Sequence, residues 1–594
     1  MFLPTTKAEL QAQSIDQPDF IVVSADAYVD HPSFGHALIA RLVQSQGFSA
    51  AVLPQPVSDK EFLSLGAPKH AFLLSAGVVD SMVNNYHVSK TKRTEDVYSD
   101  EGKFGRRPDR VTEVYAKALK RLFPDSPIIA GGIEPSLRRL AHYDYWDDKV
   151  RHSILFSAPC DLIIYGMGEQ PILEILSYAK KNVPLHKLKE IKGTAYLTDL
   201  NSANKQIKKA ILENDRTYYN LLSSFSRVST DKSLYGKSFL QAQQIFDSPT
   251  PKGLIQKQDN DHFVVINPPS LPLPQKVFDS VYALPFMKKA HPRYKHIPAL
   301  EEVQFSVTAH RGCFGNCSFC ALTYHQGQHV LARSTESVLT EVENLTHLEG
   351  FKGYIHDIGG PTANFHAPSC HKNETDGNCK NKECIGHKPC GNLRVNHKEY
   401  TEILRRAKNI KGVKKVFVRS GVRFDYAMMD SDKSFLKELT AHHVSGQLKV
   451  APEHCSNKVL KLMNKPPFEV YKNFTEEFMR LSKQANKEQY LVPYFVSSHP
   501  GCTLQDAAML TEYLMNLRTM PLQVQDFYPT PATLSTVMYY TEQNPKTGEK
   551  LFVAKNKEDK AMQRALLQYR LPQNKALVKK ALLLAGREDL IKRL

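Results

Sequence analysis

The sequence predicts an α/β chain. An N-terminal Rossmann-like parallel sheet spans 1–180, a linker 181–296, a partial (β/α)6 TIM-like barrel 297–545, and a small helical C-terminal tail 546–594. Three observations predict this. Short apolar runs alternate with amphipathic stretches through the first third, and the runs end in glycines. From about Ile297 a strand-like run followed by a helix-like run occurs six times, and the unusual residues sit at the strand ends. Near the end, Ala561, Ala565, Leu566 and Tyr569, then Leu577, Leu582 and Leu583, recur at helical spacing.

In order along the chain, Phe20-Ile-Val-Val-Ser24 is a buried-strand run, 36–46 an amphipathic helix, Ala71-Phe-Leu-Leu-Ser75 a strand and 111–122 a helix. The strand at 127–130 runs into Gly131-Gly132, and the one at 162–165 into Gly166. Such joints place a ligand crevice at the strand ends of an open parallel sheet. The span 181–296 reads as a linker, because 187–206 has no long apolar run and Asn267-Pro-Pro-Ser-Leu-Pro-Leu-Pro274 cannot continue a helix. Barrel strands are expected near 303–310, 353–358, 415–420, 447–451, 490–497 and 522–527.

The first barrel strand is followed by Cys313-Phe-Gly-Asn-Cys317-Ser-Phe-Cys320, a C-x3-C-x2-C loop. Three thiolates on one tight loop suit three irons of a 4Fe-4S cube and leave the fourth iron without a protein ligand. Structural zinc wants four ligands, and this loop supplies three. A disulfide framework does not fit ten cysteines in 594 residues with no apolar secretory segment. With Phe319 before the last cysteine, the motif resembles the radical S-adenosylmethionine (SAM) superfamily. The resemblance implies that the open iron takes the amino and carboxylate groups of SAM and that the cluster's electron cleaves it to a deoxyadenosyl radical. It also implies the partial barrel as the fold.

The other strand ends carry the remaining candidate cofactor residues. Gly359 and Gly360 match the glycines of the superfamily's Gly-Gly-Glu motif, whose backbone approaches the SAM amino group, while Pro361 stands where the acid would be. Glu453 is placed to accept from the SAM ribose. Ser420 and Arg423 are placed to hold its carboxylate, Arg423 by a bidentate contact. For each, a satisfied structural polar group is the alternative.

A second set, Cys370-x8-Cys379-x4-Cys384-x5-Cys390, lies in an insertion at 365–395 with almost no apolar content. Four thiolates closing a polar loop point to a second metal, either structural zinc or an auxiliary iron-sulfur cluster. Of the other cysteines, Cys160, Cys455 and Cys502, the last two follow strand ends. They are read as buried thiols, with radical relay as the alternative.

The N-terminal half resembles the cobalamin-binding domain fused to many radical SAM enzymes, whose first loop reads Asp-x-His-x-x-Gly. Here it reads Asp30-His31-Pro32-Ser33-Phe34-Gly35. Pro32 occupies the ligand position and has no donor for cobalt, so cobalamin is not expected. The polar stretch 134–148, from Glu134 through Arg138, Arg139, His142 and Asp144 to Asp148, either lines a wet crevice or forms a paired network.

The formal charge of +17 is compatible with RNA as a partner, but the basic residues are diffuse and carry no RNA-recognition signature. No run approaches the roughly 20 apolar residues that span a bilayer, so no membrane partner is expected and a reducing cytoplasm fits. Asp26-Ala-Tyr-Val-Asp-His-Pro-Ser-Phe-Gly35, Ser136-Leu-Arg-Arg-Leu-Ala-His-Tyr-Asp-Tyr-Trp146, Arg311-Gly-Cys-Phe-Gly315, His325-Gln-Gly327, Gly359-Gly-Pro-Thr-Ala-Asn364 and Ala451-Pro-Glu-His454 resemble the YgiQ-type radical SAM proteins over nearly the whole chain. The resemblance implies an enzyme of unassigned reaction that uses a 4Fe-4S cluster, SAM, an unidentified substrate and an electron donor such as flavodoxin or ferredoxin. The alternatives are methyl or methylthio transfer to RNA, and a non-catalytic iron-sulfur protein that senses redox state or binds RNA.

Overall fold

The computed structural model describes residues 1–379 and 383–594; Lys380, Asn381 and Lys382 of the insertion lie outside the described residues. The chain divides into two compact units. The first comprises Met1–Ser306, Tyr324–Gln326 and Glu336–Glu341, and the second Val307–Thr323, Gly327–Thr335 and Val342–Leu594.

The first unit is built on a nine-stranded sheet. Its parallel core has Phe20–Ser24 between Ala50–Pro54 and Ala71–Ser75, extended by Ile128–Gly131 and Leu162–Ile164. Counted along the chain, the spatial order is 2-1-3-4-5, the flavodoxin-like arrangement, so the ligand crevice of such a sheet falls beyond Ser24 and Ser75. Phe20 and Val22 enter one apolar core with Val43 and Ile175, while Ile21 and Val23 enter the other with Tyr115 and Leu119. Both faces of the strand are covered, which is why its sequence is a continuous apolar run. Helices Gly35–Ser45 and Val111–Leu122 form where the amphipathic pattern places them.

The span 181–296 is not the linker expected from sequence. Thr194–Asp199, Tyr219–Leu221, Gly253–Lys257 and His262–Ile266 complete the same sheet. Three of the added pairings are antiparallel, those of Gly253–Lys257 with His262–Ile266, His262–Ile266 with Thr194–Asp199, and Thr194–Asp199 with Leu162–Ile164. Asn267, read as the start of an extended piece, is a buried fastening point. Its Nδ2 donates to Ile191 O at 3.0 Å and Thr194 Oγ1 at 2.9 Å, and its Oδ1 accepts from Tyr219 Oη at 2.9 Å.

The polar stretch after Gly132 is a paired network. Glu134 accepts from the backbone N–H groups of Ser81 and Thr112, both at 2.9 Å, Arg138 forks onto Asp80, and Asp144 faces Arg110 at 3.3 Å. Buried charges are tolerated there because Arg138 and Asp144 have opposite partners and Glu134 is met by N–H and hydroxyl donors.

The expected barrel strands appear as Ser306–Thr308, Tyr354–Ile355 with Asp357–Gly359, Lys415–Val416, Gln447–Glu453, Tyr490–Ser497 and Gln525–Asp526, all but Ser306 itself in the second unit. Tyr354–Ile355 runs parallel to Lys415–Val416; Gln447–Glu453, Tyr490–Ser497 and Gln525–Asp526 form a parallel trio. The tail folds as helices Lys557–Leu567, Lys575–Leu584 and Glu588–Ile591. Met562, Ala565 and Leu566 are buried, and Thr511 Oγ1 donates to Leu566 O at 3.0 Å, tying the tail to helix Leu504–Asn516. Among the described residues no helix is long and apolar enough to cross a membrane.

Candidate active site

The C-x3-C-x2-C loop leaves the first strand through Gly312, whose φ of +82° and closeness to His329 O leave no room for a side chain. The Cys313 N–H donates to Gly327 O at 3.1 Å and the Cys320 N–H to Cys317 O at 3.0 Å, so the loop folds back on itself. Cys313 Sγ lies 3.5 Å from Thr362 Oγ1. Burial pushes the Cys320 thiol up to about 12, with the neighbouring Cys317 and Cys313 adding to the rise, and burial also raises Cys313. Thiols packed this close resist ionising together unless a metal charge faces them. Three sulfur donors on one loop, and no fourth on that loop, suit an iron-sulfur cube with one open iron.

Two groups that sequence reasoning missed hold this loop. The Ser318 hydroxyl, between Cys317 and Phe319, is 2.8 Å from the Ser535 hydroxyl, which is 2.7 Å from His499 Nε2, and the Ser535 N–H donates to Ser318 O at 2.8 Å. Asn464 Nδ2 donates to Asn316 O at 3.0 Å. Neither residue has a local sequence signal, since each acts on a loop about 150 to 220 residues away in the chain. Phe319 is half-buried, edge-on to His499 at 6.3 Å between ring centroids.

Arg423 departs from its expected role. Its bidentate contact is made to Asp425, Nε to Oδ1 at 2.7 Å and Nη2 to Oδ2 at 3.1 Å, so that fork is not available to a SAM carboxylate. The remaining nitrogen, Nη1, donates to Cys317 Sγ at 3.4 Å. Glu453 follows a bulge at Val450 and takes a left-handed backbone with φ +68°, which aims it at Lys465 Nζ, 3.5 Å away. Burial raises the Glu453 carboxyl above the usual carboxylate range, against the pull of Lys465 and Arg423.

Gly359 and Gly360 are required by neighbouring protein groups. A Cβ on Gly359 would stand 2.0 Å from Ser420 Oγ, and one on Gly360 2.6 Å from both Nε2 and O of His310. Gly359 O already accepts from the Ala309 N–H at 2.7 Å. The Ser420 N–H donates to Asp357 Oδ1 at 3.2 Å, beside the Arg419 N–H at 2.7 Å.

The second cysteine set is half-buried in the insertion, with Cys384 Sγ 3.3 Å from Ser369 Oγ. Among the described residues no group of three or more Cys, His, Asp or Glu is already at metal-holding geometry, the signature cysteines included. Cys502 is buried, its Sγ 3.5 Å from His454 Nε2, and burial pushes its thiol far up. Burial pushes Cys455 up to about 12. In the first unit His31 is fully buried, held neutral by burial at about 3, and its Nδ1 accepts from the Ser33 N–H.

Residues 2–306 match a family model described as Radical SAM N-terminal, 307–494 one described as Radical SAM superfamily, and 522–593 a domain of unknown function (DUF3362). A UPF0313 protein from Clostridium botulinum (strain Loch Maree / Type A3) is 50% identical over 596 residues, covering 99% of this chain and 90% of that one. One from Clostridium perfringens (strain SM101 / Type A) is 48% identical over 595 residues, 99% and 88%. Among solved structures, the radical S-adenosylmethionine methyltransferase TsrM from Kitasatospora setae, bound to tryptophan and a SAM analog, is similar at 13% identity and TM-score 0.45 over 86% of this chain and 74% of that one. The cobalamin-dependent S-adenosylmethionine radical enzyme OxsB, bound to aqua-cobalamin and S-adenosylmethionine, is similar at 12% identity and TM-score 0.47, over 91% and 58%. OxsB and TsrM have both been solved with cobalamin bound. At such scores the likeness neither brings cobalamin to this chain nor supports the expectation that it is absent.

Proposed function

Because this chain belongs to the UPF0313 family of radical SAM proteins, we propose that it holds one 4Fe-4S cluster on Cys313, Cys317 and Cys320 and cleaves S-adenosylmethionine to act on a substrate still to be identified. The observation that carries the reading is the folded-back loop that gathers these three thiols beside the buried guanidinium of Arg423. A bound cluster would pass one electron, supplied by a flavodoxin- or ferredoxin-like donor, to SAM, whose C–S bond would break to give methionine and a deoxyadenosyl radical.

The chain's own residues prepare that chemistry. Arg423, held by Asp425, presents a fixed positive charge to Cys317 and favours the more negative, reduced state of the site. Lys465 takes the place first expected for Arg423. It is a buried cation with three donors and, among the described residues, one carboxylate partner, Glu453, which leaves capacity for a SAM carboxylate. Ser420 adds a hydroxyl donor, Phe319 an apolar face beside the loop, and Glu453 an acceptor for ribose hydroxyls.

Cobalamin has no place in this reading. Pro32 offers no cobalt donor, and beyond Ser24 and Ser75 the buried Arg107 is paired within the chain. Arg107 Nη2 donates to Asp26 Oδ1 at 2.7 Å, its Nε to Asp96 Oδ2 at 3.0 Å and its Nη1 to Ala76 O at 2.7 Å. Cobalamin titrated into the protein should leave the corrin absorption unchanged, and a saturable spectral shift would refute this part.

The test of the whole is anaerobically reconstituted, reduced protein given SAM. Deoxyadenosine should form with the wild type and not with Cys313/Cys317/Cys320→Ala. A wild type that carries a full cluster yet leaves SAM uncleaved, with and without cell extract as a source of substrate, favours the non-catalytic iron-sulfur reading instead.

A further inference from the structure

We propose that Cys370, Cys379, Cys384 and Cys390 form a second, four-thiolate metal centre that fastens the insertion onto the loop carrying Cys313, Cys317 and Cys320. The backbone brings these cysteines together across the insertion. The Cys390 N–H donates to Cys384 O at 3.0 Å, and the Arg394 N–H donates to Ser369 O at 2.8 Å, which draws the segment of Cys370 against that of Cys390. Ser369 Oγ reaches Cys384 Sγ at 3.3 Å. Asn373 Nδ2 donates to Asn378 Oδ1 at 2.9 Å and folds the residue before Cys379 back toward the start of the insertion.

The insertion has little else to hold it. Between Cys370 and Cys390 one large apolar side chain, Ile385, is buried among the described residues. A polar segment of this length cannot offset its ordering entropy with so small a core, whereas four thiolates on a thiophilic ion contribute folding free energy directly.

The residues flanking Cys384 grip the signature loop from both sides. Glu383 accepts from Asn316 Nδ2 at 2.6 Å, from Asn464 Nδ2 at 3.2 Å and from Lys546 Nζ at 2.9 Å. Asn316 lies between Cys313 and Cys317 with a left-handed φ of +43°, a conformation that needs outside support. Ile385 enters the apolar group of Phe314, Phe365 and Tyr426, in which Phe314 and Phe365 stack at 3.8 Å. A metal on Cys384 therefore fixes the two neighbours that set the conformation at Asn316 and Phe314. The ligand chemistry is all-thiolate, taking either zinc or a second iron-sulfur cube.

The experiment uses full-length Cys313/Cys317/Cys320→Ala, which removes the signature site and makes the result independent of the SAM reading. Purified with zinc, or reconstituted with iron and sulfide, this variant should retain about one zinc or about four irons per chain. Which of the two is retained identifies the metal. Adding Cys384→Ser with Cys390→Ser should abolish it. A variant free of metal under both conditions, with the four thiols alkylated freely in the folded protein, overturns the site.

For the fastening role, hydrogen exchange across 313–320 is compared between wild type and Cys384→Ser/Cys390→Ser. The expected result is faster exchange there, with the first unit unchanged. If that variant does not fold, Cys313/Cys317/Cys320→Ala compared with and without a chelator replaces it. Metal loss with unchanged exchange at 313–320 overturns the fastening.

Discussion

Arg423 Nη1 donates to Cys317 Sγ at 3.4 Å while the other two nitrogens of the same guanidinium are locked on Asp425. The lock fixes both position and charge, so the cationic donor cannot turn away from the sulfur. A positive donor to a ligating sulfur stabilises the reduced site and raises its potential. Removing Arg423 alone leaves Asp425 buried and unpaired, at a cost of about 3–5 kcal/mol. The informative variant is therefore Arg423→Gln with Asp425→Asn. Its cluster potential, read by potentiometric EPR, should fall by on the order of 60 mV, a tenfold change for one electron. An unchanged potential would reduce Arg423 to a packing residue.

Gly359 and Ser420 share one space, since a Cβ at 359 would meet Ser420 Oγ at 2.0 Å. Gly359→Ala should destabilise the protein by about 1–3 kcal/mol through overpacking. It should also weaken SAM binding by displacing the Ser420 hydroxyl. Adding Ser420→Gly should restore the melting temperature without restoring SAM affinity. If the double variant regains both, Ser420 takes no part in the cofactor site; if it regains neither, the clash is not what Gly359 avoids.

Legibility in the sequence followed the range of the interactions involved. Phe20–Ser24 was readable because a strand buried on both faces is apolar throughout, whatever its partners. His262–Ile266 carries a similar run, Phe263-Val-Val-Ile266, but the hairpin that uses it is set by the turn at Asp259, whose carboxylate accepts from the His262 N–H at 2.7 Å. A proline-rich follow-on made that region look like a linker. The three signature cysteines are legible as a set because their spacing alone puts them on one loop. Arg423, expected to hold a SAM carboxylate, has its fork on Asp425. An Arg-x-Asp pair gives no hint that the guanidinium will face a sulfur 106 residues earlier, which only barrel closure decides. Lys465, followed by Pro466-Pro467, carries no local signal that it pairs with Glu453.

Burial lowers seven described histidines of the second unit, His310, His329, His366, His397, His443, His454 and His499, and makes that unit sensitive to acid. Burial pushes His310 and His499 down to about 3 and His366 and His454 to about 4, each below the unfolded value of about 6.5. The folded state thus binds fewer protons than the unfolded one below pH 6.5. Stability is full above that value and lost as pH falls toward 4, by up to about 1.4 kcal/mol per pH unit for each histidine. Melting temperatures at pH 7.5, 6 and 5 should drop steeply over the last interval. Among the described residues neither ring nitrogen of His366 has a hydrogen-bond partner, and Glu399 Oε1 is 4.0 Å from Nε2. His366→Gln should therefore flatten part of the drop, and an acid slope equal to the wild type's would remove His366 from the set.

The chain of hydroxyls from His499 through Ser535 to Ser318 links the fifth strand end to the residue between two signature cysteines. Ser535→Ala removes both contacts at once and leaves the His499 nitrogen and the Ser318 hydroxyl buried without that partner. Such a loss costs about 1–3 kcal/mol. The effect should fall mainly on the loop, since the Ser535 N–H still holds Ser318 O at 2.8 Å and keeps the backbone tethered. Reconstituted Ser535→Ala should therefore bind its full complement of iron but release it faster to a chelator, several-fold against the wild type, while Ser535→Thr, which keeps a hydroxyl, behaves as the wild type does. Equal release from the alanine and threonine variants would show that the backbone tether alone positions the loop. Slower reconstitution with an unchanged release rate would place the contact in assembly of the site rather than in its maintenance.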